Sequence, residues 1–147
     1  MTIENKISKI LSPFPRVQLM TQVTPIERLR SISKLLNINL LIKRDDMSGL
    51  GFGGNKIRQL EFYMGEAVRN KADTILITGA VQSNFVRATA AVAAKYGMKS
   101  IIQLEERVPD MPDKYYESGN ILLSKILEAE FMSYPEGEDE IGAGGAL

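Results

Sequence analysis

Three short apolar runs, Thr74-Ile75-Leu76-Ile77-Thr78, Ser100-Ile101-Ile102-Gln103-Leu104 and Phe131-Met132-Ser133-Tyr134, alternate with two stretches of helical spacing, and this alternation limits the folds open to the chain. Brief apolar runs bounded by turn residues read as buried strands. Strand, helix, strand, helix, strand with short links demands a parallel sheet joined by right-handed crossovers. The fold class expected is therefore α/β: an open, twisted, Rossmann-like βαβαβ sheet with helices on both faces. In such sheets ligands sit at the carboxyl ends of the strands.

Other segments can be placed around this frame. Ser12-Pro13-Phe14-Pro15 breaks any early helix, and Thr24-Pro25-Ile26-Glu27 reads as an N-cap, a first-turn proline and an acid, predicting a helix through about residue 37. Residues 38–44 read as a mostly buried strand closed by Arg44-Asp45-Asp46, and residues 49–54 as a glycine-rich loop. Ile57, Leu60, Met64, Ala67 and Val68 recur at helical spacing, which predicts a helix over about 55–70. Ser83 or Asn84 caps an alanine-rich helix that stops at Gly97. Residues 105–113 form a polar loop, and 115–127 a helix with Ile121, Leu122, Ile126 and Leu127 inward. An acidic connection, 136–140, then leads into glycine-rich residues with no further element expected. The chain reads as a fragment, or as one whose partner supplies the rest.

Composition removes many chemistries. A chain of 147 residues, 44% apolar and 24% charged, is an ordinary globular domain. Eighteen basic and eighteen acidic side chains balance, with no dense basic run, which argues against nucleic acid as a partner. There is no Cys and no His, so disulfides, thiol nucleophiles, Cys/His metal sites and Ser-His-Asp triads are excluded and no metal is expected. Acid–base work falls to Lys, Asp, Glu or Tyr, helped by a cofactor. Residues 1–10 lack the continuous apolar core of a secretory signal, and no run reaches membrane-spanning length, so the expectation is a cytoplasmic protein with no membrane partner.

Two segments could carry chemistry. Gly53-Gly54-Asn55-Lys56 places a lysine at the mouth of a helix behind two glycines, which permit close backbone approach to a ligand. The alternative is an exposed basic residue on the first turn of an amphipathic helix. Gly49 to Gly54 formally matches G-x-G-x-x-G, but Asp45-Asp46-Met47-Ser48 separates it from the preceding strand, so a dinucleotide site is rejected. In the second segment, Thr78 to Arg87, a strand ends and Gln82-Ser83-Asn84 opens a helix whose unpaired N–H groups favour an anion. Ordinary capping is the alternative there. Lys43-Arg44-Asp45-Asp46 reads as a structural charge cluster, and Arg58 with Glu61 as a local pair worth a few tenths of a kcal/mol.

Taken in order, Pro15-Arg16, Thr24-Pro25, Ile42-Lys43-Arg44-Asp45-Asp46, Gly53-Gly54-Asn55-Lys56, Gln82-Ser83-Asn84 and Tyr116-Glu117-Ser118-Gly119-Asn120 resemble the pyridoxal-phosphate enzymes that include D-cysteine desulfhydrase and 1-aminocyclopropane-1-carboxylate deaminase, of the tryptophan-synthase-β-like fold. The resemblance implies that Lys56 forms the internal Schiff base with pyridoxal phosphate and shuttles the substrate Cα proton. Asn84 would hydrogen-bond the cofactor ring oxygen, with Asn55 also at the cofactor. Ser83 would meet the substrate carboxylate and take part in proton transfer, with Gln82 and Asn84 beside it. Residues 1–54 would begin the larger, cofactor-binding domain and 55–147 form the smaller α/β domain, the C-terminal half of the larger one being absent.

The activity implied is a lyase acting on a small amino acid. D-cysteine, giving pyruvate, ammonia and sulfide, is the first substrate and 1-aminocyclopropane-1-carboxylate the second; full-length relatives are expected to be homodimers. A reading of another class is a truncated, catalytically inactive α/β fragment. Phe85 stands where the family usually has histidine, keeping a flat ring but losing a hydrogen bond and a titration.

Overall fold

A computed structural model describes residues 2–134 and 139–145. An N-terminal helix α1 (Ile3–Leu11) precedes an antiparallel ribbon of β1 (Ile26–Arg28) and β2 (Leu41–Lys43), which are separated by α2 (Arg30–Leu36). Two 3-10 turns then lead into α3 (Lys56–Arg69). The rest alternates: β3 (Thr74–Ala80), α4 (Asn84–Lys95), β4 (Lys99–Glu105), α5 (Gly119–Ile126) and β5 (Glu130–Tyr134), followed by a short α6 (Glu140–Gly145). The three later strands form one parallel sheet in the order β3-β4-β5, with Thr74 opposite Lys99 and Glu105 opposite Tyr134. The chain is thus α/β with a parallel sheet, as the alternation demanded.

Two apolar clusters hold this arrangement. Ile57, Leu60 and Met64 of α3 pack on Ala88 and Val92 of α4 together with Leu19, and Ile75 of β3 borders them. Ile77 and Ile102 of the sheet pack on Val86 and Ala90 of α4, with Leu104, Leu127 and Phe131 around them. Small alanines on α4 let it lie close to both the sheet and α3. Helices were expected on both faces; α4 covers one, while Leu76 and Met132 on the other are 52% and 40% exposed.

The helix expected from Pro25 does not form. Thr24 is buried, and its hydroxyl donates to Asp45 Oδ1 (2.8 Å) and accepts from Arg58 Nη2 (3.0 Å) instead of capping a helix. The Pro25 carbonyl accepts from the Arg44 N–H (2.9 Å), so the chain continues into β1 and the helix starts only at Arg30. β2 is exposed along its length rather than buried. The helix expected over 115–127 is split into a 3-10 turn, Asp113–Tyr116, and α5, with Ile121 inside but Leu122 and Ile126 outside. No element was expected after Tyr134, yet α6 forms; the Asp139 carboxylate accepts from the Gly142 N–H (3.0 Å) and from the Tyr134 hydroxyl (2.7 Å). Of the acidic connection expected over 136–140, residues 136–138 lie outside the described residues.

The expected pairing of Glu61 with Arg58 is also replaced. Glu61, 1% exposed, accepts from the Leu19 and Met20 N–H groups (2.9 and 3.1 Å) and from the Arg16 guanidinium, while Arg58 turns to Asp45. Burial alone would raise the Glu61 pKa, but the Met20 and Leu19 amides and Arg16 together outweigh it and hold the carboxyl below its ordinary range. The carboxylate pins the segment around Leu19 onto α3. Glu61→Ala should therefore lower stability by about 2–4 kcal/mol, because two amides and a guanidinium lose their acceptor. Urea unfolding checks this, and a change no larger than that of an ordinary surface substitution would contradict it.

Candidate active site

The glycine loop reaches the site by running back along α4. Gly51 lies against Ala91, where an added Cβ would come within 2.7 Å of the alanine methyl. Next, the Gly53 carbonyl accepts from Arg87 Nη2 at 3.1 Å. Lys56, the first residue of α3, then places its Nζ 5.9 Å from the centre of the Phe85 ring. The partners step from Ala91 to Arg87 to Phe85, so the loop delivers its lysine to the N-terminal end of α4. Gly53 makes this path possible: it has φ +71°, and a side chain there would strike the Asp46 carbonyl.

At that end Ser83 is the N-cap, its hydroxyl oxygen accepting from the Val86 N–H at 3.4 Å. The other first-turn N–H groups face the mouth of the helix, an arrangement that favours an anion. Asn84 is exposed, and its Oδ1 accepts from Asn120 Nδ2 at 3.1 Å. Asn55 is exposed and its side chain makes no capping bond to α3. Lys56 thus lies against the residue that follows Asn84, on the two helix starts that the sequence had singled out.

The side chain of Gln82, expected beside the substrate, is bonded to main-chain groups. Its Nε2 donates to the carbonyls of Tyr115 (2.6 Å) and Ser118 (3.0 Å), and its Oε1 accepts from the Asn120 N–H (2.9 Å). The side chain thus ties the head of α4 to the segment before α5 and to the first turn of α5.

The Phe85 ring also faces Tyr63, with centroids 6.3 Å apart and planes tilted by 53°. Both rings border a cleft of about 330 Å³ between α3 and β3, lined by Leu60, Met64, Ile75, Ile77 and Thr89. Lys56 therefore has a flat, apolar, uncharged neighbour. At the carboxyl end of β4, buried Glu105 accepts from the Thr78 hydroxyl (2.9 Å) and from Arg107 Nε (2.8 Å).

Charge pairs fix the loop from behind. Arg58 donates through Nε and Nη2 to both oxygens of Asp45, each at 2.8 Å. The Asp45 carbonyl in turn accepts from the Gly54 N–H at 2.8 Å. The Arg58 guanidinium first, with the Thr24 hydroxyl helping against partial burial, holds the Asp45 carboxyl down to about 2. Arg44, bridging Asp46 and Glu27 (2.7 and 2.9 Å), completes the expected structural cluster. Burial lowers the Arg87 pKa from its ordinary value, and its buried Nε has no hydrogen-bond partner among the described residues.

Arg87, Glu61 and Asn120 were not singled out for these roles from the sequence. Glu61 lies on a predicted helix among the charged residues Lys56, Arg58 and Glu66, and nothing local marks it, whereas Arg87 is the single charge between Asp73 and Lys95 in an alanine-rich helix, a local signal that could have found it. Asn120 carried a faint signal, since Ser118-Gly119-Asn120 before an apolar helical run is a helix-start pattern.

The fold is thus a parallel α/β sheet in which a glycine loop brings a lysine to the cap of the following helix. The profile of the pyridoxal-phosphate dependent enzymes matches residues 17–144, and the chain belongs to that family. It is 42% identical over 132 residues to a D-cysteine desulfhydrase of Yersinia enterocolitica, covering 90% of this chain and 39% of that protein. A Pyrococcus furiosus protein named provisionally as a 1-aminocyclopropane-1-carboxylate deaminase is 43% identical over 129 residues, or 88% of this chain and 37% of that one. The crystal structure of an ACC deaminase homologue superposes with a TM-score of 0.84 at 38% identity, covering 99% of this chain and 42% of the other. The chain thus spans roughly two fifths of the length of these relatives. No helix among the described residues is long and apolar enough to cross a membrane.

The Asp45–Arg58 pair gives the loop a pH dependence. A carboxyl held at about 2 in the folded chain against an ordinary 3.8 contributes stability that is complete above about pH 4 and lost as pH falls through 2. Asp45→Asn should remove this part of the acid transition: the variant is less stable than the parent at pH 6, and the gap narrows toward pH 2. Thermal melts across that range test this, and a gap independent of pH would contradict it.

Proposed function

We propose that this chain is the N-terminal part of a pyridoxal-phosphate-dependent lyase acting on a small amino acid, with β-elimination from D-cysteine as the first reaction and ring-opening deamination of 1-aminocyclopropane-1-carboxylate as the second. The observation that carries the reading is the delivery of Lys56 to the Phe85 ring at the head of α4, beside the Ser83 cap and the Asn84 amide. The names of the Yersinia and Pyrococcus relatives support the two substrates.

The residues present fit the ring end of the cofactor. Lys56 offers an amine beside a flat apolar ring, and Asn84, its oxygen held by Asn120, keeps an NH2 group for a ring oxygen. Pyridoxal phosphate, when bound, supplies an electron sink for the negative charge that develops at the substrate Cα. Lys56 would hold the cofactor and, with D-cysteine, would move the Cα proton; the cyclopropane substrate carries no hydrogen at Cα. Ser83, with the first-turn amides of α4, receives the substrate carboxylate and assists proton transfer. Asn55, exposed beside Lys56, joins the cofactor contacts, and Gln82 shapes the wall against which the substrate lies.

In this reading residues 1–54 begin the larger domain and 55–147 form the smaller one. Its support is the ribbon's uncovered apolar surface, where Ile26 and Leu41 are 65% and 54% exposed. That exposure also favours a second reading for the chain taken alone, an α/β fragment without turnover. A cytoplasmic setting and a homodimeric complete enzyme belong to the first reading and rest on the family resemblance.

Adding pyridoxal phosphate to the purified chain should produce the visible absorbance band of a lysine-bound cofactor, and Lys56→Ala should abolish it. Pyruvate from D-cysteine and 2-oxobutyrate from the cyclopropane substrate report turnover, which Ser83→Ala should lower by roughly a hundredfold. A band that survives in Lys56→Ala would refute the lysine's role, while a wild-type band without either product supports the inactive fragment.

A further inference from the structure

Backbone groups alone fix the polarity of the cluster formed by Gln82, Asn84 and Asn120, because a carbonyl only accepts and an N–H only donates. Gln82 faces the Tyr115 and Ser118 carbonyls at 2.6 and 3.0 Å, so its NH2 points there and its oxygen is left for the Asn120 N–H at 2.9 Å. Asn120 Nδ2 lies 2.7 Å from the Gln82 carbonyl, which requires nitrogen at that position. The second hydrogen of the same nitrogen points at Asn84, 3.1 Å away, so Asn84 has to present oxygen to it. The Asn84 NH2 is thereby turned away from the cluster. Gly119, at φ +62°, closes the arrangement: a side chain there would come within 2.6 Å of Gln82 Oε1.

We infer that Asn120, at the start of α5, is a positioning residue that fixes Asn84 as a hydrogen-bond donor toward the active site, committing that position to a ligand oxygen carrying negative charge. The inference rests on the proposed role of Asn84 and adds to it a residue from another helix. An amide free to flip would present oxygen to oxygen half the time, and repulsion would replace the charge-assisted bond. Anchoring through the main-chain carbonyl of Gln82 removes that alternative before any ligand arrives. The same bonds join the 115–120 segment to the head of α4, so the wall and the donor are set together.

Side-chain amide NMR on the labelled 147-residue chain without added cofactor tests the polarity directly. The Asn120 NH2 protons should exchange with water roughly tenfold more slowly than those of Asn84; the reverse order overturns the inference. Asn120→Asp has the same shape but only accepts, so the Asn84 NH2 should swing toward the new carboxylate and become the protected group. Unchanged Asn84 resonances in a folded variant also overturn it, and the wild-type exchange order decides the matter if the variant does not fold. With pyridoxal phosphate added, Asn120→Asp should retain the cofactor about tenfold less tightly while Lys56 is intact; equal retention counts against the inference. A wild-type chain that takes up no cofactor yet shows the expected exchange order sinks the proposed function and leaves the polarity of Asn84 standing.

Discussion

The two-pronged contact between Arg58 and Asp45 decides where the lysine goes. Arg58 belongs to the first turn of α3, and Asp45 to the turn that opens the glycine loop, so their contact closes the loop at its base. The Asp45 main chain adds a bond to Gly54, and Arg87 holds the Gly53 carbonyl from the other side. A half-exposed ion pair contributes little energy in itself. Its value is geometric: with both ends of the loop fixed, the direction in which Lys56 leaves α3 is no longer free, and it meets the Phe85 ring.

The parallel sheet was legible because its signal is local. Apolar runs of strand length between helical stretches allow one topology, and the strands formed within a residue or two of where the pattern placed them. The positions of Lys56 and of the Ser83 cap were legible for the same reason, since both depend on helix starts. What could not be read was decided by distant partners. Thr24 has every mark of an N-cap, but Asp45 and Arg58 recruit its hydroxyl from elsewhere in the chain. Glu61 lies one turn from Arg58, yet Arg16 and two N-terminal amides claim it. Gln82 has the chemistry of a ligand contact, and only the folded loop shows that three main-chain groups already occupy it.

The two sheets differ in how complete they are. β3, β4 and β5 enclose clusters with fully buried side chains such as Ile57, Ile102 and Val92. The β1–β2 ribbon has three residues in each strand, all exposed, and a two-stranded sheet of this size is marginal without cover. That contrast agrees with a chain that spans about two fifths of its relatives' length. The site described here stands on the better covered of the two sheets.

Among the described residues, the hydrogen bonds that fix the lysine loop and the head of α4 run from Thr24 to Asn120. Chains emerge from the ribosome N-terminus first and fold by units as they appear. Once Asn120 has cleared the exit tunnel every group in these bonds is available, and Leu127 and Phe131 follow closely to complete the packing beneath α4. Order of synthesis and order of assembly can therefore run together along this part of the chain.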